Sequence, residues 1–277
     1  MDWKTLTPEE MIQAFKKKYP KISTCSYKLS LYKHELKQQE CPEQYLKQLR
    51  LTKDDYTLIR RGANAARAKD AACVRTITNA DDIYGQACCL LLSDDPDKNL
   101  AALFPLTGLR PVEILRAATY CECDPTKTNY PKFAARQLTF AKRKSKENEA
   151  RDRVFLAPTT LILKALANVR MKYYPIIVNY TNNDIDKHIK MKPILRKYLT
   201  TTDMNPRMLR RFFANLAFVH FSDFVPGQQA SLISFCSHHL CHQILADEVI
   251  CYSSMRLDPP PRMSPLVIFQ PYFKSLL

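Results

Sequence analysis

Arg110, Arg210, His242 and Tyr252 are far apart in the chain, yet each sits in a short segment suited to phosphate chemistry. In Leu106-Thr107-Gly108-Leu109-Arg110-Pro111-Val112-Glu113-Ile114-Leu115 the glycine predicts a helix stop and the proline the first turn of the next helix. Arg110 then occupies a rigid corner from which its planar guanidinium can grip phosphate oxygens in a bidentate fork, with a plain ion pair to Glu113 as the competing use. In Asn205-Pro206-Arg207-Met208-Leu209-Arg210 the asparagine caps a helix and the proline takes its first position. Arg207 and Arg210, three apart, share one face near the positive helix terminus, which suits an anion. Leu240-Cys241-His242 is followed ten residues later by Tyr252, joining a potential proton donor to a hydroxyl nucleophile.

The charge balance points to the same ligand class. Lys+Arg 42 against Asp+Glu 27 gives a formal net charge of +15 and a pI near 9.4. Lys132, Arg136, Lys142, Arg143, Lys144, Lys146, Arg151 and Arg153 form one basic run, and Lys187, Lys190, Lys192, Arg196, Lys197, Arg207, Arg210 and Arg211 a second. Two such runs in a basic chain favour binding to a phosphate backbone, with salt-dependent affinity, over a merely solvated face. Only 4 glycines are present, Gly62, Gly85, Gly108 and Gly227, where average usage would give roughly 19. Their separation excludes both a Walker A loop and a G-x-G-x-x-G fingerprint, and with them nucleotide chemistry of those two types.

The elements that must position these residues are mainly helical, because a chain so poor in glycine has few tight turns and strand bulges. Helices are predicted over residues 7–19 (Thr7 cap, Pro8 first), Tyr27 to Gln39 and Asp54 to Lys69. Others follow the Asn79-Ala80-Asp81-Asp82 cap, and span Lys98 to Leu106 and Leu161 to Met171. Gln137-Leu138-Thr139-Phe140-Ala141 and Arg153-Val154-Phe155-Leu156 are strand-like and joined by a charged connection, so they predict an antiparallel β-hairpin. The expected organisation is a basic helical region over 1–74, a second unit over 75–255, and an extended tail over 256–277 ending in an apolar plug, Leu266-Val267-Ile268-Phe269. No secretory signal is visible at the N-terminus, and no apolar run approaches the ~18 residues of a membrane span. The ten cysteines are irregularly spaced and read as reduced intracellular thiols. An intracellular, DNA-associated protein is expected.

Taken in order over roughly residues 79 to 255, these segments resemble the tyrosine recombinases, the DNA breaking and rejoining enzymes that include the telomere resolvases (protelomerases) and type IB topoisomerases. Leu106 to Leu115 resembles the T-G-x-R-x-x-E-I-L box. Lys142, Lys144 or Lys146 matches the hairpin lysine, Arg207-Met208-Leu209-Arg210 the H/K-x-L-R box, and Leu240-Cys241-His242 with Tyr252 the L-G-H box and its tyrosine. Leu90-Leu91-Leu92-Ser93-Asp94-Asp95-Pro96, leading into Leu106, is most similar to the telomere resolvases. Arg207 stands where that branch has lysine and most recombinases histidine; Cys241 stands where glycine is usual.

The resemblance implies a mainly helical catalytic core preceded by a helical DNA-clamping region. It implies that Tyr252 forms a 3′-phosphotyrosyl bond, conserving the phosphodiester energy without metal, ATP or other cofactor. Arg110 and Arg210 would clamp the non-bridging oxygens, His242 would assist at the same phosphate, Lys144 would protonate the leaving 5′ oxygen and Arg207 would add a further contact. Double-stranded DNA is the implied partner, bound by a dimer or tetramer, with no membrane and no nucleotide. His239 competes with His242, and Tyr272 with Tyr252. Two other readings of the residues stand beside this one: a structural zinc at Cys236 to His242 completed by Cys121 and Cys123, and a DNA-binding protein of the same fold without activity. A metal-dependent nuclease using Asp81, Asp82, Asp94 or Asp95 is weaker, because each pair falls where a helix cap is expected.

Overall fold

A computed structural model describes residues 3–72, 74–124, 126, 129–138, 151–181, 185, 189–222, 231–240 and 252–274. Two compact units divide the chain, Met1–Lys69 and Asp70–Leu277. The first carries α1 (Pro8–Lys18), α2 (Ile22–Gln38), α3 (Glu43–Gln48) and the start of α4 (Lys53–Ala72). Local chemistry sets the start of α1. Thr7 accepts from the Glu10 amide while the Glu10 carboxylate accepts from the Thr7 amide, a complete capping box with Pro8 in the first turn. Met11, Phe15, Cys25, Leu29, Leu36, Leu46, Leu49 and Leu51 form this unit's own core.

The second unit begins with β1 (Arg75–Ile77), followed by α5 (Ala80–Leu91) and α6 (Pro96–Thr107). Asn79 precedes α5 but does not cap it. Its amide donates instead to the Thr201 carbonyl at 2.8 Å, a tie between segments 122 residues apart. Asp95 does cap α6, accepting from the Asp97 amide with Pro96 in the first turn. Beyond α6 the chain forms a π-helical segment, Glu113–Ala117, and then β2 (Tyr120–Glu122), β3 (Ala134–Gln137) and β4 (Arg151–Val154). These three strands make an antiparallel sheet in the order β2-β3-β4, with Gln137 opposite Arg151 and Ala135 opposite Arg153.

The hairpin therefore pairs residues earlier than the sequence suggests. Small buried Ala134 and Ala135 let the sheet lie against the core, whereas Leu138, expected inside the first strand, is 47% exposed. Residues 139–150, with Lys142, Lys144 and Lys146, lie outside the described residues.

Helix α7 (Thr159–Ile177) runs past the expected end at Met171, because Ile162, Leu166, Val169, Tyr173 and Ile177 continue one buried stripe at helical spacing. After α8 (Met191–Tyr198), α9 (Pro206–Phe221) starts as expected: Asn205 Oδ1 accepts from the Met208 amide and Pro206 takes the first position. Leu209, Phe212, Phe213, Leu216 and Phe221 bury its inner face. Helix α10 (Leu232–Leu240) precedes β5 (Met255–Leu257), which pairs in parallel with β1.

Short helices α11 (Pro265–Ile268) and α12 (Gln270–Lys274) follow in place of a wholly extended tail. Phe269 is buried in its own chain's core beside Phe133, while Leu266 and Val267 are exposed. The described cysteines are free thiols. Among the described residues no helix is long and apolar enough to cross a membrane.

Candidate active site

Gly108 makes the corner that the sequence predicts. It ends α6 with φ +60, and its amide donates to the Phe104 carbonyl at 3.0 Å. The backbone here is packed too tightly for any side chain: a Cβ on Gly108 would lie 2.3 Å from Phe213 Cδ1. Thr107, itself buried, accepts from the Leu109 amide at 3.2 Å and tightens the turn. Arg110 follows with its guanidinium partly open to solvent and Nη1 at 3.4 Å from Glu113 Oε1.

Glu113 opens the π segment, a helix type that is rare and common beside functional sites. From α7, Arg170 holds the segment by donating to the Ile114 carbonyl at 2.8 Å and to the Glu113 and Ala118 carbonyls. The Glu113 side chain is 5% exposed and accepts from the Arg110 amide at 2.7 Å. Burial alone would raise its carboxyl pKa, but Arg210, Arg153 and Arg110 outweigh burial and hold it below the usual carboxylate range. Three guanidiniums around one carboxylate leave an excess of positive charge, the polarity an anionic ligand would neutralise.

The centre of the site is Arg210, buried on α9. Its Nε donates to Tyr252 Oη at 2.9 Å, its Nη2 to the Leu240 carbonyl at 3.0 Å, and its Nη1 to the Gly108 carbonyl. Nη1 also lies 3.6 Å from Glu113 Oε2. One guanidinium thus meets the α6 corner, the end of α10 and the tyrosine hydroxyl, which fixes its plane.

The segment around Tyr252 is fixed just as firmly. Asn215 donates to the Tyr252 carbonyl at 3.1 Å, Arg211 to Ser254 Oγ at 3.1 Å, and the Arg75 amide to the Ser254 carbonyl at 2.8 Å. The β1–β5 pairing then clamps the chain directly beyond.

Arg110, Arg210 and Tyr252 therefore converge, joined through Glu113. Arg207 is exposed on the first turn of α9, three residues before buried Arg210. Lys144 and His242, with Cys241, lie outside the described residues. His239 is buried, and its Nδ1 accepts from the Val154 amide at 3.3 Å. Tyr272 Oη lies 3.3 Å from Thr160 Oγ1 in the tail. Asp81 accepts from the Arg262 and Met263 amides, and Asp95 caps α6, so both do structural work. Among the described residues no three His, Cys, Asp or Glu side chains form a metal-binding group.

One participant escaped the sequence. Arg153 reads there as one of eight basic residues for a phosphate backbone, but it is 2% exposed and donates to the His239 carbonyl at 2.7 Å and to Gln137 Oε1 at 2.9 Å. Its only sequence signal was its place within a strand of apolar neighbours, Val154-Phe155-Leu156.

A family model for the telomere resolvase ResT/TelK catalytic domain matches residues 75–249. Among solved structures the chain is similar to protelomerase TelA covalently complexed with substrate DNA, with 18% identity and a TM-score of 0.69 over 93% of this chain and 84% of that one. A TelA variant complexed with DNA hairpin product is similar at 16% identity and a TM-score of 0.66, over 100% of this chain and 87% of that one. Protelomerase TelK complexed with substrate DNA gives 18% identity and a TM-score of 0.58, over 94% of this chain and 56% of that one. No curated protein sequence matches. At these identities the structural likeness is one of fold.

Proposed function

Since the chain belongs to the telomere resolvase family, defined by the ResT/TelK catalytic domain over residues 75–249, we propose the following roles for its own residues in breaking and rejoining DNA. Tyr252 Oη attacks the scissile phosphorus, forming a 3′-phosphotyrosyl bond as the bond from phosphorus to the 5′ oxygen breaks. The phenolic proton passes to solvent, and the leaving 5′ oxygen takes a proton from Lys144, with Lys142 and Lys146 as its neighbours on the same connection. A 5′ hydroxyl then attacks the phosphotyrosine and frees Tyr252, so bond energy is conserved in both directions.

Arg110 and Arg210 neutralise the non-bridging oxygens as charge grows on the pentacovalent phosphate. Losing one such donor costs about 3–4 kcal/mol of transition-state stabilisation. Glu113 keeps both guanidiniums in place, His242 donates to the same phosphate, and exposed Arg207 reaches the DNA backbone or the leaving group. The observation that supports this assignment is the 2.9 Å hydrogen bond from Arg210 Nε to Tyr252 Oη, beside the buried Glu113.

Residues 1–74 add DNA affinity, and residues 75–255 carry the chemistry. Each chain supplies one such tyrosine and a duplex has two strands to cut, so we assign a homo-oligomer on DNA, a dimer in the simplest case, with covalently closed hairpin ends as product. The site of action is DNA within the cell.

A suicide duplex nicked beside the scissile phosphate tests the chemistry. The expected result is a covalent 3′ adduct, formed in excess chelator and absent with Tyr252→Phe, while DNA affinity is retained. An adduct that persists in Tyr252→Phe, or DNA binding without any adduct, overturns the reading. Cross-linking on uncut DNA tests the oligomer, and denaturing gel mobility of the ends tests the hairpin product.

A further inference from the structure

We infer that Arg75 is a further DNA-backbone contact, a positioning residue that grips a phosphate flanking the scissile one, with Asp203 standing in for that phosphate until DNA arrives. The inference rests on the proposed cleavage of DNA by Tyr252.

Main-chain bonds place Arg75 beside the chemistry. Its amide donates to the Ser254 carbonyl at 2.8 Å, and it lies opposite Met255 in the parallel β1–β5 pair, just past Tyr252. Its side chain runs to the start of the helix that carries Arg210. Nη2 donates to Asp203 Oδ1 at 2.9 Å, shortly before the Asn205 cap of α9, and Nη1 donates to Met208 Sδ at 3.7 Å in the first turn of that helix. Arg75 thus spans the two segments that deliver Tyr252 and Arg210, and it meets the second of them next to exposed Arg207.

The way this guanidinium is held points to an anion other than Asp203. One arm of its fork has a carboxylate oxygen, while the other has a thioether sulfur, a weak acceptor. A phosphate offers two oxygens to the planar fork, a stronger and more directional arrangement. Releasing Asp203 costs little, because the Arg75 side chain is 44% exposed and that of Asp203 78%, and water screens such a pair. Asp203 is also the single acid between Lys187 and Arg211, a stretch otherwise rich in lysine and arginine. Arg75, hydrogen-bonded to it, and Arg196 nearby hold its carboxyl below the usual carboxylate range, so it stays ionised and keeps Arg75 extended toward α9. A phosphate gripped there is referenced to the strand beside Tyr252 and to the helix of Arg210, which sets the register of the DNA backbone at the reacting phosphorus.

The test reads the contact phosphate by phosphate. Binding to an uncut duplex is measured from low to high salt for Tyr252→Phe protein and for Arg75→Gln, Arg75→Lys and Asp203→Asn in that background, with thermal unfolding recorded alongside. Each phosphate near the cleavage position is then replaced in turn by a neutral methylphosphonate. All three substitutions spare the main-chain bond from Arg75 to Ser254, and Asp203→Asn probes the exchange with Arg75 itself intact.

One lost phosphate contact lowers the salt slope of log K by about 0.9, which is about 8-fold in affinity at about 0.1 M salt relative to about 1 M. Arg75→Gln should show that loss and become indifferent to the one methylphosphonate, flanking the scissile phosphate, that weakens binding when Arg75 is present. Arg75→Lys keeps the slope, and Asp203→Asn binds more tightly because the competing carboxylate is gone. An unchanged slope in Arg75→Gln, the same methylphosphonate pattern with and without Arg75, or weaker binding by Asp203→Asn overturns the inference and leaves the pair a structural tie. Absence of duplex binding, or of an adduct when Tyr252 is intact, refutes the parent reading instead.

Discussion

Gly108→Ala strains the corner between α6 and Arg110 directly. The substitution adds one methyl group at φ +60, where a Cβ would stand 2.3 Å from Cδ1 and 2.8 Å from Cγ of Phe213. Phe213 is 1% exposed and cannot swing into solvent. The left-handed backbone costs about 1–2 kcal/mol for a residue with a Cβ, and overpacking a filled core costs about 1–3 kcal/mol more. Together these give about 2–5 kcal/mol, which lowers the unfolding midpoint of a domain the size of Asp70–Leu277 by roughly 4–20 °C.

Relief by movement of the corner would shift the Gly108 carbonyl that receives Arg210 Nη1, so adduct formation on the suicide duplex should fall with stability. Gly62→Ala is the internal control. Nothing lies within 4 Å of its added Cβ, and alanine in this exposed helix interior should stabilise by about 0.5–1 kcal/mol. Calorimetry of both variants and of Gly108→Ala with Phe213→Leu completes the assay. The smaller leucine should return at least about 1 kcal/mol relative to additivity. A Gly108→Ala midpoint within a degree or two of wild type, or strict additivity in the pair, refutes the account of this corner.

Glu113→Gln should destabilise by about 3 kcal/mol at neutral pH, because three guanidiniums lose their buried carboxylate. The Glu113 pKa is depressed in the fold, so its contribution is present above the ordinary carboxylate range and lost as pH falls through the lower folded value. Denaturant titrations should therefore find the gap between wild type and Glu113→Gln narrowing below about pH 4. Arg207→Ala should leave the unfolding midpoint unchanged, as exposed substitutions move stability by about 0.5 kcal/mol or less. Arg210→Ala should lower both the midpoint and the adduct rate, since its guanidinium joins four parts of the site. Asn205→Ala removes the acceptor for the Met208 amide and should cost about 1 kcal/mol in urea unfolding.

Local chemistry was legible in the amino-acid order wherever a helix end satisfies itself within a few residues. Thr7 with Glu10, Asp95 with Pro96, Gly108 after Thr107, and Asn205 with Pro206 all carry their caps in adjacent positions, and the structure places each helix end there. The family boxes were legible for the same reason, since each is a short run on one element. Which of two similar side chains meets the site was not. Arg207 and Arg210 are three residues apart on one helix, yet one is exposed and the other buried against Tyr252.

Asn79 has the sequence of a cap but spends its amide on Thr201, and Arg153 has the sequence of a surface cation but is enclosed by Gln137 and His239. The pairing of β1 with β5, which fixes the chain just after Tyr252, joins residues at opposite ends of the second unit. In all these cases the deciding partner is distant in sequence. A charge or an amide can be buried only where acceptors from other elements already stand, and those acceptors come together only when the chain has folded.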